Sequence, residues 1–336
     1  MNGYSAERLS AFARGAAAAL LAAAIAQGSS QGATTADTLA QVNQALQSGE
    51  ADKALSLIRS LPQGGEQIAE AKNLECRVHY TLEQWDAAVG ECEQSVRLDP
   101  QNSIDHRWLA KALGEKASRA SFLSAFSLAR RVRAEFEAAA KLDPRNPEAL
   151  SDLGEFYKDA PGVVGGGLDK AQDVAAQLDK IDGSKAHLLR ARIAEARKDY
   201  VAAEREFKQA IATAVHPADL WTTLASFYHR RERWPELDSA IHNCEVAAQK
   251  DKTAGVAFYD GAGVLAESNR DPALAVKMFE SYLASPSRTE EAPAFDAHVR
   301  LARLKKQLGD AAGAQHEVAS ALQLAHDYKP ALEFGH

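Results

Sequence analysis

Ten histidines and three cysteines are the side chains from which a metal centre or a nucleophile could be assembled. The histidines are scattered along the chain, and no two have ligand spacing with an acidic partner on a shared helix face, so they read as solvated or packed imidazoles. No G-x-S-x-G, no H-E-x-x-H and no cysteine with a positioned histidine occurs. Cys76, Cys92 and Cys244 are too few for a disulfide framework and too far apart for a zinc knuckle. The run Gly165-Gly166-Gly167 with Lys170 beyond it could turn backbone N–H groups toward an anion. It has no Lys-Ser or Lys-Thr after its last glycine and no strand before it, so a nucleotide loop is not expected. No catalytic residue, no cofactor and no metal is expected, which leaves binding as the function class.

The elements that would position a binding surface are helical. Of 336 residues, 46% are hydrophobic, 25% charged and only 7% aromatic, and Ala and Leu recur at helical spacing, which excludes bulk disorder and disfavours a sheet-rich fold. The formal charge of -7 disfavours a nucleic-acid partner or an anionic membrane surface unless the bases are segregated. Residues 1–26 carry Arg8 and Arg14, an apolar run from Gly15 to Ala26 too short to span a bilayer, and a small-x-small site at Ala24-Ile25-Ala26. Cleavage is expected after Ala26, with residues 27–36 a flexible lead and no membrane span in what remains.

A repeat then organises residues 37–336. Trp85-Asp86-Ala87-Ala88 runs on to Leu98-Asp99-Pro100-Gln101-Asn102, and Val132 to Leu142-Asp143-Pro144-Arg145-Asn146; Tyr200 and Trp234 open comparable stretches. Upstream helices carry Leu150-x-x-Leu153-Gly154-x-x-Tyr157 and Trp221-x-x-Leu224-Ala225-x-x-Tyr228, with small residues in the same place at Cys76, Ala110, Ala191, Gly263 and Ala302. These patterns resemble the two helices of a tetratricopeptide repeat. The central small position of each second helix falls at Ala54, Ala88, Val132, Ala171, Ala203, Leu237, Ala275 and Ala314, in steps of 34, 44, 39, 32, 34, 38 and 39. The resemblance implies an all-α, right-handed superhelical solenoid of about eight antiparallel helix pairs, each stabilised by its neighbour, with a terminal cap from Tyr328 onward.

Two units break the period. The third gains ten residues at about 114–128, including Phe122 and Phe126, and is expected to lengthen both its helices. The fourth gains five at about 160–168, in Ala160-Pro161-Gly162-Val163-Val164-Gly165-Gly166-Gly167-Leu168-Asp169-Lys170. Register sets the two insertions side by side, with the glycines expected flat against Phe122 or Phe126. Together they resemble a group of exported bacterial tetratricopeptide proteins of undefined activity. The expected location is therefore the periplasm, with secretion as second choice.

Cys76 and Cys92 fall on the two helices of one unit, where the expected register offsets them by about one helical turn, roughly 5 Å, and argues against a bridge. First helices should line the concave face, where eight bases (Arg77, Arg107, Lys111, Lys158, Lys185, Arg192, Arg303, Lys306) meet eight acids (Glu70, Glu148, Glu155, Glu195, Asp219, Asp260, Glu267, Asp296). The middle row is the exception, reading Arg77, Lys111, Glu155, Arg192, Ser226, Val264, Arg303. Related repeats hold peptide carboxylates with such a row. The expectation is a non-enzymatic scaffold for proteins or peptides, with Arg77, Arg107, Lys111, Arg192 and Arg303 as contacts. The alternative is a small-ligand or enzymatic site at Phe122, Phe126, Gly165, Gly166, Gly167 and Lys170.

Overall fold

The computed structural model describes residues 34–62, 64 and 67–334. The expected export segment, residues 1–26, lies outside the described residues, as does the lead up to residue 33. Helix begins at Thr35, inside the end of the expected lead, because Thr34 and Asp37 form a capping box. Among the described residues there are 17 α-helices, one short 3-10 turn and no strand.

Sixteen of the helices form eight consecutive antiparallel pairs, joined here by slashes: α1 (Thr35–Gln47)/α2 (Ala51–Arg59), α3 (Ile68–Thr81)/α4 (Trp85–Leu98), α5 (Ser103–Ser118)/α6 (Phe122–Leu142) and α7 (Pro147–Asp159)/α8 (Leu168–Leu178). Then follow α9 (Gly183–Ala196)/α10 (Tyr200–Thr213), α11 (Ala218–Arg230)/α12 (Trp234–Lys250), α13 (Gly255–Glu267)/α14 (Pro272–Ala284) and α15 (Ala294–Gln307)/α16 (Ala311–Leu324), with α17 (Lys329–Leu332) last. All eight central positions named above are buried. Gly154 shows why the matching position on the first helix is small: a Cβ there would strike Leu189 and Val174.

Local chemistry sets the boundaries. At the Leu-Asp-Pro endings, Asp99 and Asp143 leave helical geometry at φ −133° and −131°, and the prolines that follow cannot extend the ladder. Asn102 then caps α5 by accepting from the Ile104 N–H at 2.9 Å, and Asn146 caps α7 by accepting from Glu148 and Ala149 at 3.0 and 3.2 Å. Six units turn between their helices through a left-handed residue, Gly49, Glu83, Lys198, Glu232, Asn269 or Gly309, and the seventh adds a second at Asp271. In each, the next N–H reaches back five residues to a carbonyl, as from Gln84 to His79 at 2.9 Å and Arg233 to Tyr228 at 3.0 Å. The third and fourth units, which carry the insertions, lack this turn. Their extra length lies chiefly in the 21-residue α6 and in the loop containing the 3-10 turn Gly162–Val164.

The two ends of the solenoid meet, and the first and eighth pairs share one core. Leu39, Val42, Leu46, Leu55 and Leu82 cluster with Phe295, Val299, Ala321 and Tyr328, and the Phe295 and Tyr328 rings meet at 4.7 Å. Gly49 is pressed onto the Ala294 backbone, where a Cβ would lie 2.5 Å from its nitrogen. His326 binds Asp52 through both its backbone N–H (2.9 Å) and Nδ1 (2.7 Å), and Gln84 donates to Asp327 at 2.7 Å. Each end thus covers the apolar face that the other would expose to water. The segment from Tyr328 to α17 seats Tyr328 and Ala331 in this seam.

The expected offset of the cysteines is corrected: Cys76 and Cys92 form a disulfide, with Cα atoms 5.2 Å apart. Each lies eight residues from Gln84, so a turn centred there puts them at one height. Cys244 is buried and free. Denatured, unreduced protein should titrate one thiol per chain and three after reduction. Since the bridge closes a loop of about 15 residues, the Cys76→Ala/Cys92→Ala variant should lose about 3 kcal/mol in urea unfolding.

Candidate functional site

The concave face divides into an occupied part and an open part. In the occupied part, Trp108 on α5 packs edge-on against Tyr80 on α3 with ring centroids 5.4 Å apart, and its face receives Lys111 Nζ at 4.2 Å and Arg77 Cζ at 5.3 Å. These two cations meet Glu290 and Glu291 of the segment joining α14 to α15. Arg77 donates to both Glu290 oxygens, at 2.8 and 2.6 Å, and Lys111 to Glu291 at 3.0 Å. Burial works against charge on Glu291, but Lys111, with Arg107 and Lys185 beyond, holds its carboxyl below the usual carboxylate range. Gln47 clasps Glu290 from α1, Tyr282 donates to the Ala292 carbonyl, and Ser287 donates to the Thr253 carbonyl at 2.7 Å. The row expected to hold a partner's carboxylates therefore holds the chain's own at Arg77 and Lys111.

The other expected contacts are distributed differently. Arg107 donates to Asp152 at 2.6 Å. Arg192 pairs with Glu155 at 2.9 Å. Arg303 is exposed beside Glu333 and Phe334, away from the other four, in a shallow 430 Å³ hollow at the terminal cap.

The open part is a cleft of about 750 Å³ lined from α7, α9, α11, α13 and α15. Its cations are matched by carboxylates: Lys158 by Glu155 (3.1 Å) and Asp159 (2.9 Å), Arg192 by Glu155, Arg230 by Glu195 (2.8 Å) and Arg300 by Asp296 (2.5 Å). Asp296 also accepts from Tyr259 and Tyr328, which ties the cleft wall to the seam. Thr222 and Thr223 turn their hydroxyls onto the Asp219 carbonyl. Asp260, also lining the cleft, is half-buried and has no hydrogen-bond or ion-pair partner among the described residues. Burial, reinforced by Asp219, pushes its carboxyl up to about 7. The sequence places Asp260 on this face beside seven other acids with nothing to distinguish it; its isolation depends on what the neighbouring helices present.

At the insertion edge, the glycine loop does not lie on Phe122 or Phe126. Phe122 is 85% exposed, and Phe126 carries the Arg130 guanidinium 4.5 Å above its ring. The loop rests one unit back along α6: Arg133 donates to the Val164 carbonyl at 3.4 Å and packs against Gly165, and Gly166 sits against the Ala160 carbonyl. Gly165 and Gly167 take φ of 97° and 152°, and Gly167 donates to the Tyr157 carbonyl at 2.7 Å. Lys170 closes the loop on the Gly165 carbonyl at 2.8 Å, with its ammonium 5.3 Å from the Tyr157 ring. Phe122 lies eleven residues, about 16 Å of helix, beyond Arg133 and out of the loop's reach.

Five histidines are packed against single carboxylates. His106, His187 and His298 meet Glu135, Glu206 and Glu317 on the facing helix of their own pair at 2.5, 2.8 and 2.6 Å; His216 meets Asp251 at 2.5 Å, and His326 meets Asp52. The partners sit across a helix pair, which a search for shared faces on one helix does not reach. Asp52, His326 and Asp327 bring ligand atoms within 4.8 Å of one another, yet both Asp52 oxygens already accept from His326 and one Asp327 oxygen accepts from Gln84, as seam contacts.

The ion pair under Trp108 is nearly closed to water, with side-chain exposures of 15% and 9% for Arg77 and Glu290. Glu290→Ala should therefore cost about 2–4 kcal/mol in urea unfolding, because it strands a desolvated guanidinium. Lys53→Ala, in the exposed pair with Glu50, should change stability by less than about 1 kcal/mol in the same assay.

No family model matches the chain, and no curated protein matches it significantly. Among solved structures it is similar to a thermophilic tetratricopeptide protein from Thermus thermophilus, at 18% identity and TM-score 0.49 over 58% of this chain and 98% of that one. It is also similar to a tetratricopeptide repeat protein from Parabacteroides merdae, at 11% identity and TM-score 0.42 over 89% and 96%. A third is YrrB, described as a tetratricopeptide protein with an unusual peptide-binding site, at 14% identity and TM-score 0.36 over 59% and 95%. Overlaps this loose leave the weight on the chain's own features: eight consecutive antiparallel pairs, small residues buried in phase, and one left-handed turn recurring in six units. By those features the chain is an all-α solenoid of tetratricopeptide-type helix pairs.

Proposed function

We propose that the protein is a non-catalytic binding scaffold of the bacterial cell envelope, taking a segment of another protein into the cleft between the fourth and eighth units. The observation that carries this reading is the 750 Å³ concave cleft itself, of a size that suits a ligand and lined by side chains from five successive first helices. Its cations are all held in ion pairs with carboxylates, which suits recognition by a rigid surface. At the insertion edge the basic ends of Arg133 and Lys170 are directed to the loop's own carbonyls, which gives that edge less to offer a ligand.

Export is part of the proposal. The charged start, apolar run and Ala24-Ile25-Ala26 site support it, and a Cys76–Cys92 bridge suits an oxidising compartment such as the periplasm. Protein recovered from a secreting host should begin at Gln27; a cytoplasmic chain still beginning at Met1 overturns this part.

Ser226 lines the middle of the cleft, so Ser226→Trp fills it from α11 without touching the seam. In affinity capture from the native envelope, partners of the wild-type chain should be recovered about tenfold less well by a Ser226→Trp variant of unchanged circular dichroism. Equal recovery places the contact elsewhere, with the insertion edge as the next surface to block.

A further inference from the structure

We infer that the occupant of the cleft presents a cation, the ammonium or guanidinium of a lysine or arginine side chain, to Asp260. This rests on the cleft being the binding surface and specifies the chemistry it selects.

The sign of the site follows from which charges are left over. Each cation lining the cleft already has a carboxylate partner at salt-bridge distance. Asp260 and Glu267 have none among the described residues. Glu267 is exposed at the end of α13 and water can satisfy it, whereas Asp260 lies two turns back on the same helix and is half-buried. A half-buried carboxylate lining a cleft without a partner, with Asp219 adding like charge, is an acceptor whose full interaction is realised when a ligand's N–H donors reach it. The basic middle row pointed to an acidic ligand, but its charges are cancelled from within the fold, so the open charge of the cleft is negative.

Protonation supports the same assignment. Burial pushes the Asp260 carboxyl up to about 7, and a bound cation would draw it down again. Asp219 on α11, Arg300 on α15 and Glu291 on the α14–α15 segment bear on it, and Cys244 on α12 is neutral because burial pushes its thiol up to about 12. Binding of a cation should therefore tighten from about pH 6 to about pH 8 as Asp260 ionises.

The test uses the mature chain and fluorescently labelled peptides of one Gly-Ala-Ser background, bearing lysines, glutamates or neither, read by anisotropy at physiological salt. The lysine peptide should bind about tenfold or more tightly than the glutamate peptide. Asp260→Asn should remove most of that preference and its pH dependence, while Asp173→Asn, which removes an exposed charge on α8, should leave both in place. Asp260→Asn is close in shape and relieves repulsion with Asp219, so the variant should unfold no earlier than wild type.

A preference for the glutamate peptide, no binding of either, or a lysine preference untouched by Asp260→Asn overturns the assignment. Peptide binding that survives Ser226→Trp overturns instead the reading of the cleft as the binding surface.

Discussion

The seam between the first and eighth helix pairs is the contact on which the rest of the molecule depends. An open solenoid leaves an apolar face at each end and is free to flex along its length, because each unit touches only its neighbours. Here Leu39, Val42 and Leu46 from one end and Phe295, Val299 and Tyr328 from the other form a single core, so the curvature of the whole array is fixed by closure. The interior of the curve then has a fixed width, and a segment on one wall can reach side chains on the opposite wall. Glu290 and Glu291 do this: they cross to Arg77 and Lys111, more than two hundred residues earlier in most of these contacts, and fill the first part of the interior.

Closure also decides what the remaining cleft can recognise. An arginine on a helix surface is a binding group only while its charge is unspent. Arg77 is bound by Glu290, Arg107 by Asp152, Arg192 by Glu155 and Arg300 by Asp296, so the cations contribute rigidity to the wall and little net field. Asp260 differs because no cation among the described residues forms an ion pair with it: α15 commits its Arg300 to Asp296 four residues away, and Arg300 acts on Asp260 only at longer range. A polar cleft in which all but a few charges are paired discriminates by the few that are not.

The departures from sequence expectation share a cause. The disulfide hinges on where the turn between α3 and α4 is centred, and a shift of two residues there separates a bridge from an offset of one helical turn. The glycine loop rests on Arg133 instead of Phe122 because α6 extends well past the point where its neighbours stop, and the aromatic end of the insertion is carried beyond the packed units. The carboxylate partners of His106, His187 and His298, on which the sequence expectation is silent, lie across facing helices at sequence separations of 29 and 19 residues, a spacing that no single-helix pattern contains.

The all-helical class, the eight helix pairs, the stops at Leu-Asp-Pro and the two irregular units are legible in the residues alone. All of these arise from interactions within about forty residues: helical periodicity, capping by Asn102 and Asn146, and small residues where two helices cross. That the ends meet, that Arg77 and Lys111 are occupied from within, and that Asp260 has no ion-pair partner emerges from the folded array. Those outcomes depend on the accumulated rotation of eight units, in which a small angle per unit separates a closed array from an open one, and no local pattern of residues records that sum.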